Sequence, residues 1–151
     1  MGSDFRIASA TETLPIDLEA LAVEAASAGV NNVGTLVERW ADGSERYSSP
    51  GESMLIARGV DGAAVGVGGI ALCRDVPGAL RVRRFYVSSA QRRRGIARHL
   101  AESLIESGFA YTNTLTCNAG ASSAAPPFWE AMGFRRVAIA GITHQMTRSS
   151  D

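Results

Sequence analysis

The chain has 151 residues, 46% of them apolar, and no net formal charge, which suits one compact domain with a single core, here taken as residues 1–151. It has no window of roughly 18 consecutive apolar residues to span a membrane, and its first residues lack the basic and apolar segments of a secretion signal, so a cytoplasmic protein with no membrane partner is expected. Cys73, Cys117, His99 and His144 stand apart, without zinc-ligand spacing; the cysteines read as small buried hydrophobes, and neither a disulfide framework nor a metal is expected.

In chain order, Asp4–Ala10 reads as a short strand. Pro15 opens a helical run in which Ile16, Leu18, Leu21, Ala22 and Ala25 recur at helical spacing, with Gly29 as its stop. Val33–Ala41 is a second amphipathic helix, with Leu36, Val37 and Trp40 on one side and Gly43 after it. Ser44–Gly51 is a polar loop. Ser53–Arg58 and Ala64–Arg74 form a hairpin around Asp61-Gly62, and Pro77-Gly78 turns the chain into strand Ala79–Val87. Helical periodicity resumes after Gly95, with Ile96, Leu100, Leu104 and Ile105 inward, Arg98 and Glu102 paired on the outer face, and Gly108 closing the helix. Thr114–Cys117 is a buried type of strand, Pro126-Pro127 starts a short helix through Met132, and Arg135–Ala140 and Ile142–Arg148 close as an antiparallel pair. This order, β-α-α-β-β-β-α-β-α-β-β, predicts an α/β fold around a largely antiparallel sheet with one parallel crossover.

Charge is unevenly spread. Residues 1–57 hold nine acids against Arg6, Arg39 and Arg46, a net of −6, and the rest of the chain carries the opposite excess. Seven arginines, including Arg81, Arg83, Arg84 and Arg98, fall in one acid-free stretch, which should attract an anion such as phosphate. Its centre is Phe85-Tyr86-Val87-Ser88-Ser89-Ala90-Gln91-Arg92-Arg93-Arg94-Gly95-Ile96-Ala97, a strand, a loop and a helix start. A helix N-terminus offers unpaired N–H groups and the positive end of its dipole to a pyrophosphate. Gly95 permits close approach to the backbone, and Ala97 keeps the first turn open. Without interleaved stacking aromatics the cluster does not read as a nucleic-acid surface. In the preceding strand, Leu80 and Val82 share one face, but the apolar set then shifts to Phe85 and Val87, the phase change a β-bulge produces.

Arg92-Arg93-Arg94-Gly95-Ile96-Ala97 resembles the R/Q-x-x-G-x-G/A signature with which GNAT acetyltransferases hold the coenzyme A pyrophosphate. Phe128-Trp129-Glu130-Ala131-Met132-Gly133-Phe134 is similar to that family's (F/L)-Y-E-x-x-G-F element, and the element order agrees over nearly the whole chain. The resemblance implies a mixed, mostly antiparallel sheet of six or seven strands flanked by about four helices, with the fourth and fifth strands splayed. It further implies acetyl-CoA as cosubstrate, an amine acceptor, and a coenzyme site drawn from Phe85, Tyr86, Val87, Arg92, Arg93, Arg94, Gly95, Ile96, Ala97, Arg98, Ser122 and Phe128. The family's members often dimerise, so a homodimer is open, although no residue here supports one.

Direct attack of a neutral amine on the thioester is the implied chemistry, with the Val87 N–H holding the oxyanion; one such donor is worth about 3 kcal/mol. Trp129 stands where many relatives carry a proton-donating tyrosine, and an indole N–H is no practical acid, so Trp129 reads as a wall. Ser122, seven residues earlier, stands where relatives often carry asparagine. Glu38, Glu45 and Glu52 are candidate bases, Tyr86 and Tyr111 further donors, and the acidic first third suggests a cationic acceptor. General acid and base stay unassigned, and a non-catalytic acyl-CoA sensor of the same fold is the competing expectation.

Overall fold

The computed structural model describes residues 5–91, 95–120 and 122–148. Its strands are β1 (Phe5–Ala10), β2 (Ser53–Gly59), β3 (Ala64–Leu72), β4 (Leu80–Val87), β5 (Thr114–Cys117), β6 (Arg135–Ile139) and β7 (Ile142–Thr147). They form one seven-stranded sheet in the order β1-β2-β3-β4-β5-β7-β6, antiparallel except where β4 runs parallel to β5. The helices are α1 (Leu18–Ser27), α2 (Asn32–Ala41), α3 (Ile96–Phe109) and α4 (Ala125–Ala131). The expected order, mixed sheet and parallel crossover are all present.

Two apolar layers sandwich the sheet. On one face, Leu18, Leu21 and Ala25 of α1 and Val33, Leu36 and Trp40 of α2, each set at i, i+3 and i+7, pack with Met54, Ile56, Val67 and Tyr86. On the other, Ile96, Leu100 and Leu104 of α3 and Trp129 of α4 cover Leu80, Val82, Val87 and Leu115. Helix α1 starts three residues after Pro15, and the side chain of Asp17, its N-cap residue, is engaged by a distant part of the chain. Its carboxylate accepts the Ala64 N–H at 2.9 Å and an Arg58 N–H at 3.1 Å. Gly108 lies inside α3 rather than closing it. A Cβ there would come within 2.6 Å of Ile70 and Leu115, so this glycine lets the helix seat on the sheet.

Strand β4 departs from regular pairing. Val67 opposes Tyr86 and Gly69 opposes Arg83, so β4 carries one more residue than β3 across this interval. The extra residue is absorbed at Arg84, whose φ is +58°, a left-handed conformation costing about 1–2 kcal/mol outside glycine. Phe85 therefore joins Leu80, Val82 and Val87 on the α3 face, which the hydrophobic phase change anticipates. Its ring lies across Gly68, where a Cβ would meet Phe85 at 2.9 Å. Pairing between β4 and β5 stops at Val82 and Cys117, and the two strands splay beyond it.

Two carboxylates hold this irregular strand. Glu45 takes both arms of Arg84, Nε at 3.2 Å and Nη2 at 2.6 Å, and also accepts from the Tyr47 hydroxyl at 2.8 Å. Glu24 of α1 accepts from Tyr86 Oη at 2.6 Å, Ser88 Oγ at 2.8 Å and the Ser89 N–H at 3.1 Å. Burial alone would raise the Glu45 pKa, but the hydrogen bonds from Arg84 and Tyr47 and the charges of Arg84 and Arg83 outweigh it and hold the group at about 2. A carboxylate with a depressed folded pKa stabilises the fold above its ordinary value of 4.5 and loses that contribution as pH falls toward about 2. Glu45→Gln should therefore cost about 1–3 kcal/mol at neutral pH, and the Tm gap between the two proteins should narrow through this acid window in calorimetric scans. A gap that stays constant with pH would show that the Glu45 charge is not what secures the bulge.

Candidate active site

The splay opens a cavity of about 730 Å³. One wall is the end of β4 from Arg81 to Val87; the facing wall is Cys117, Asn118 and the segment from Ser122 to Trp129, with Ile96 and Ala97 at the start of α3 beside them. The Ser88 N–H donates to the Val65 carbonyl across β3 at 2.8 Å. Successive amides of a strand point to opposite edges, so the Val87 N–H turns toward the splayed gap, where β5 offers it no partner.

Of the residues expected at the coenzyme site, Phe85, Tyr86, Val87, Ile96, Ala97, Ser122 and Phe128 line this cavity. Gly95 caps α3 with φ +82° and no side-chain hydrogen bond to the helix end. The His99 N–H donates to Gly95 O at 2.9 Å, and the amides of the first turn point out of the helix end beside Ile96 and Ala97 of the cavity wall. Arg92, Arg93 and Arg94 lie outside the described residues. Arg98 is exposed, pairs with Glu102 at 3.3 Å, and does not reach the cavity wall.

Trp129 is 5% exposed and sits in an aromatic cluster, with ring centroids 4.9 Å from both Phe85 and Phe128 and 5.4 Å from Phe134. It is a wall and a packing residue at once. Behind it, fully buried His144 lies 2.8 Å from Glu130 through Nε2 and 2.8 Å from Thr143 Oγ1 through Nδ1, and Glu130 also meets Arg136 at 3.2 Å. This network fastens α4 to β7. Cys117 lines the cavity, and burial pushes its thiol up to about 12 against a weaker opposing pull from Arg81, so at neutral pH it is a protonated thiol and a poor nucleophile.

The candidate bases lie elsewhere. Glu38 is exposed on α2. Glu45 is tied to arginines and, at a pKa of about 2, is too weak a base for an ammonium proton. Glu52 accepts the backbone N–H groups of Ser49 and Leu72 at 3.2 and 3.0 Å. None of the three lines the cavity, nor does Tyr111, which is 68% exposed. Asn32, which the sequence does not single out, does line it. Its Nδ2 donates to the Phe85 carbonyl at 3.0 Å, while its Oδ1 is buried without a partner. Local pattern marks Asn32 only as the start of α2; its partner lies 53 residues away.

A second cavity of about 510 Å³ adjoins the first, and Arg81 and Arg83 line both. Among the described residues no group of three histidine, cysteine or carboxylate side chains could share a metal ion.

The family model of the GNAT acetyltransferase domain matches residues 24–145. No curated protein matches the sequence. Among solved structures, one from an Exiguobacterium species assigned as an acetyltransferase is 23% identical with a TM-score of 0.82, over 95% of this chain and 93% of that one. A GNAT-family acetyltransferase from Staphylococcus aureus is 12% identical with a TM-score of 0.75, over 96% and 99% of the two chains. A GNAT-family acetyltransferase from Elizabethkingia anophelis, solved with acetyl-CoA bound, is 13% identical with a TM-score of 0.66, over 97% and 99%. With its splayed β4–β5 pair, its glycine-capped α3 and a family match across most of its length, the chain belongs to the GNAT acetyltransferases.

Proposed function

We propose that residues 1–151 form a single acetyltransferase domain that moves an acetyl group from acetyl-CoA to an amine by direct attack. One observation carries the reading: the β4 edge beyond the bulge is unpaired and faces a cavity that continues to an uncapped helix N-terminus. The residues present fit the coenzyme. Gly95 and Ala97 keep bulk away from the N–H groups that would receive the pyrophosphate, with Arg92, Arg93 and Arg94 supplying charge beside them. The free edge of Phe85–Val87 would receive the amide-bearing arm, and Phe128 and Ser122 would close over it.

Acetyl-CoA supplies an activated thioester; the protein's share is positioning and charge stabilisation. The Val87 N–H, fixed by the bulge and by the neighbouring Ser88–Val65 bond, would stabilise the negative charge that develops on the carbonyl oxygen. Asn32, whose Nδ2 holds the Phe85 carbonyl, would fix the strand edge that the incoming amine meets. The lining holds no carboxylate among the described residues, so the amine must arrive neutral, its proton given to solvent. That same lack favours the competing reading of an acyl-CoA sensor, which transfer assays over an amine panel decide. The reading sets the site within one chain, leaves a homodimer open, and suits the cytoplasm, where buried Cys73 and Cys117 would stay reduced.

Gly95→Asp should weaken acetyl-CoA binding by about 100-fold, or about 2.7 kcal/mol. Aspartate tolerates the left-handed backbone better than most residues, so the loss reports its charge rather than misfolding. Calorimetry with near-normal affinity in a folded variant would remove the site. Direct attack also means that Cys117 never carries the acetyl group. Peptide mass spectrometry after incubation with acetyl-CoA alone should find that residue unmodified, and acetyl-Cys117 forming as fast as turnover would establish a two-step route instead.

A further inference from the structure

The second cavity carries a charge excess that the first third of the sequence conceals. Arg39, Arg46, Arg74, Arg81 and Arg83 line it. Its carboxylates are largely engaged. Glu45 alone meets three guanidinium groups, those of Arg39, Arg83 and Arg84, at 3.1, 3.8 and 2.6 Å. Glu52 accepts two backbone N–H groups. Asp75 is exposed and is the remaining acid of the lining. Among the described residues no ion pair joins Arg46, Arg74 or Arg81 to a carboxylate: Arg46 rests over the Trp40 ring at 5.8 Å, and Arg81 Nε is shielded from solvent with no acceptor.

A shielded guanidinium N–H without an acceptor is destabilising, and two oxygens of a carboxylate or of a phosphate match the guanidinium fork. Arg81 also marks where the two cavities join. It precedes Val82, the last β4 residue paired to β5, and lines both spaces. Several acids of residues 1–57, whose net −6 suggests a cationic acceptor in the sequence, are turned by the fold onto arginines and backbone N–H groups.

Resting on the transfer reading above, we propose that the acceptor is a small amine that carries an anionic group. Arg81, with Arg46 and Arg74, holds its carboxylate or phosphate in the second cavity, while its amine reaches through the junction into the splayed gap.

The test uses matched acceptors on the full chain. Amino acids are compared with amines of the same skeleton lacking the carboxylate, and aminoalkyl phosphates with the corresponding amino alcohols. Expected is at least a tenfold higher kcat/KM for one anionic series, the better series telling carboxylate from phosphate. Arg81→Gln should remove most of that preference through KM, lowering kcat/KM far more for the anionic member of each pair than for its uncharged partner, and Arg81→Lys should restore part of it. Equal or better use of the uncharged amines overturns the proposal and leaves acetyl transfer standing. So does an Arg81→Gln loss that is the same for both members of a pair. If no amine is acetylated although calorimetry shows acetyl-CoA binding, the transfer reading fails. Calorimetry with the N-acetylated anionic and uncharged compounds then decides the anion site by itself: a tenfold preference for the anionic compound that Arg81→Gln removes supports it, and no preference overturns it.

Discussion

One additional residue in β4 governs the geometry of this molecule. A regular strand would keep Leu80 and Val82 in phase with positions 84 and 86 and could continue its pairing with β5. The insertion at Arg84 reverses that phase, brings Phe85 and Val87 onto the α3 face, and turns Tyr86 toward α1 and α2. The strand then diverges from β5, and backbone that a closed sheet would have consumed is left facing a cavity. Left-handed backbone at a non-glycine residue is unfavourable, so it persists only where the surroundings over-determine it. Here the bidentate Glu45–Arg84 pair does so on one side of the bulge and Glu24 on the other. Tyr47, the other non-glycine residue with positive φ among those described, donates to the same Glu45. Two strained residues thus share one anchor.

The acidic early part of the chain is in this way structural. Glu24 and Glu45 reach strand β4 from α1 and from the loop after α2, and Asp17 ties α1 to the β2–β3 hairpin. Helices that cover one face of the sheet therefore also set the conformation of the strand end on which the cavity depends. On the opposite face, the His144–Glu130–Arg136 network sets α4 and, with it, Trp129 and Phe128. Both walls of the gap are held by charged groups placed behind them, while the gap itself is lined by apolar and uncharged polar side chains, arginines and backbone.

Much of this was legible in the sequence wherever the signal was local. Element order, the hairpin at Asp61-Gly62 and the phase change in Leu80–Val87 all follow from spacing within about ten residues. What sequence could not supply were partners far apart in the chain. Glu24 with Tyr86, Glu45 with Arg84 and Asn32 with Phe85 are separated by 62, 39 and 53 residues, and nothing in their own neighbourhoods distinguishes them from solvated side chains. Net charge is blind for the same reason: it counts acids without saying which are already neutralised. Gly108 resembled a helix stop because a glycine seated against Ile70 and one ending a helix look alike in one dimension.

The packing of Phe85 over Gly68 extends this logic into descent. With Leu104 closing the other side, a Cβ at position 68 would stand 2.9 Å from both neighbours, so positions 68 and 85 share a single allotment of volume. Lineages that preserve this cavity shape can enlarge one only by shrinking the other. The two positions, on different strands, should therefore drift as a pair.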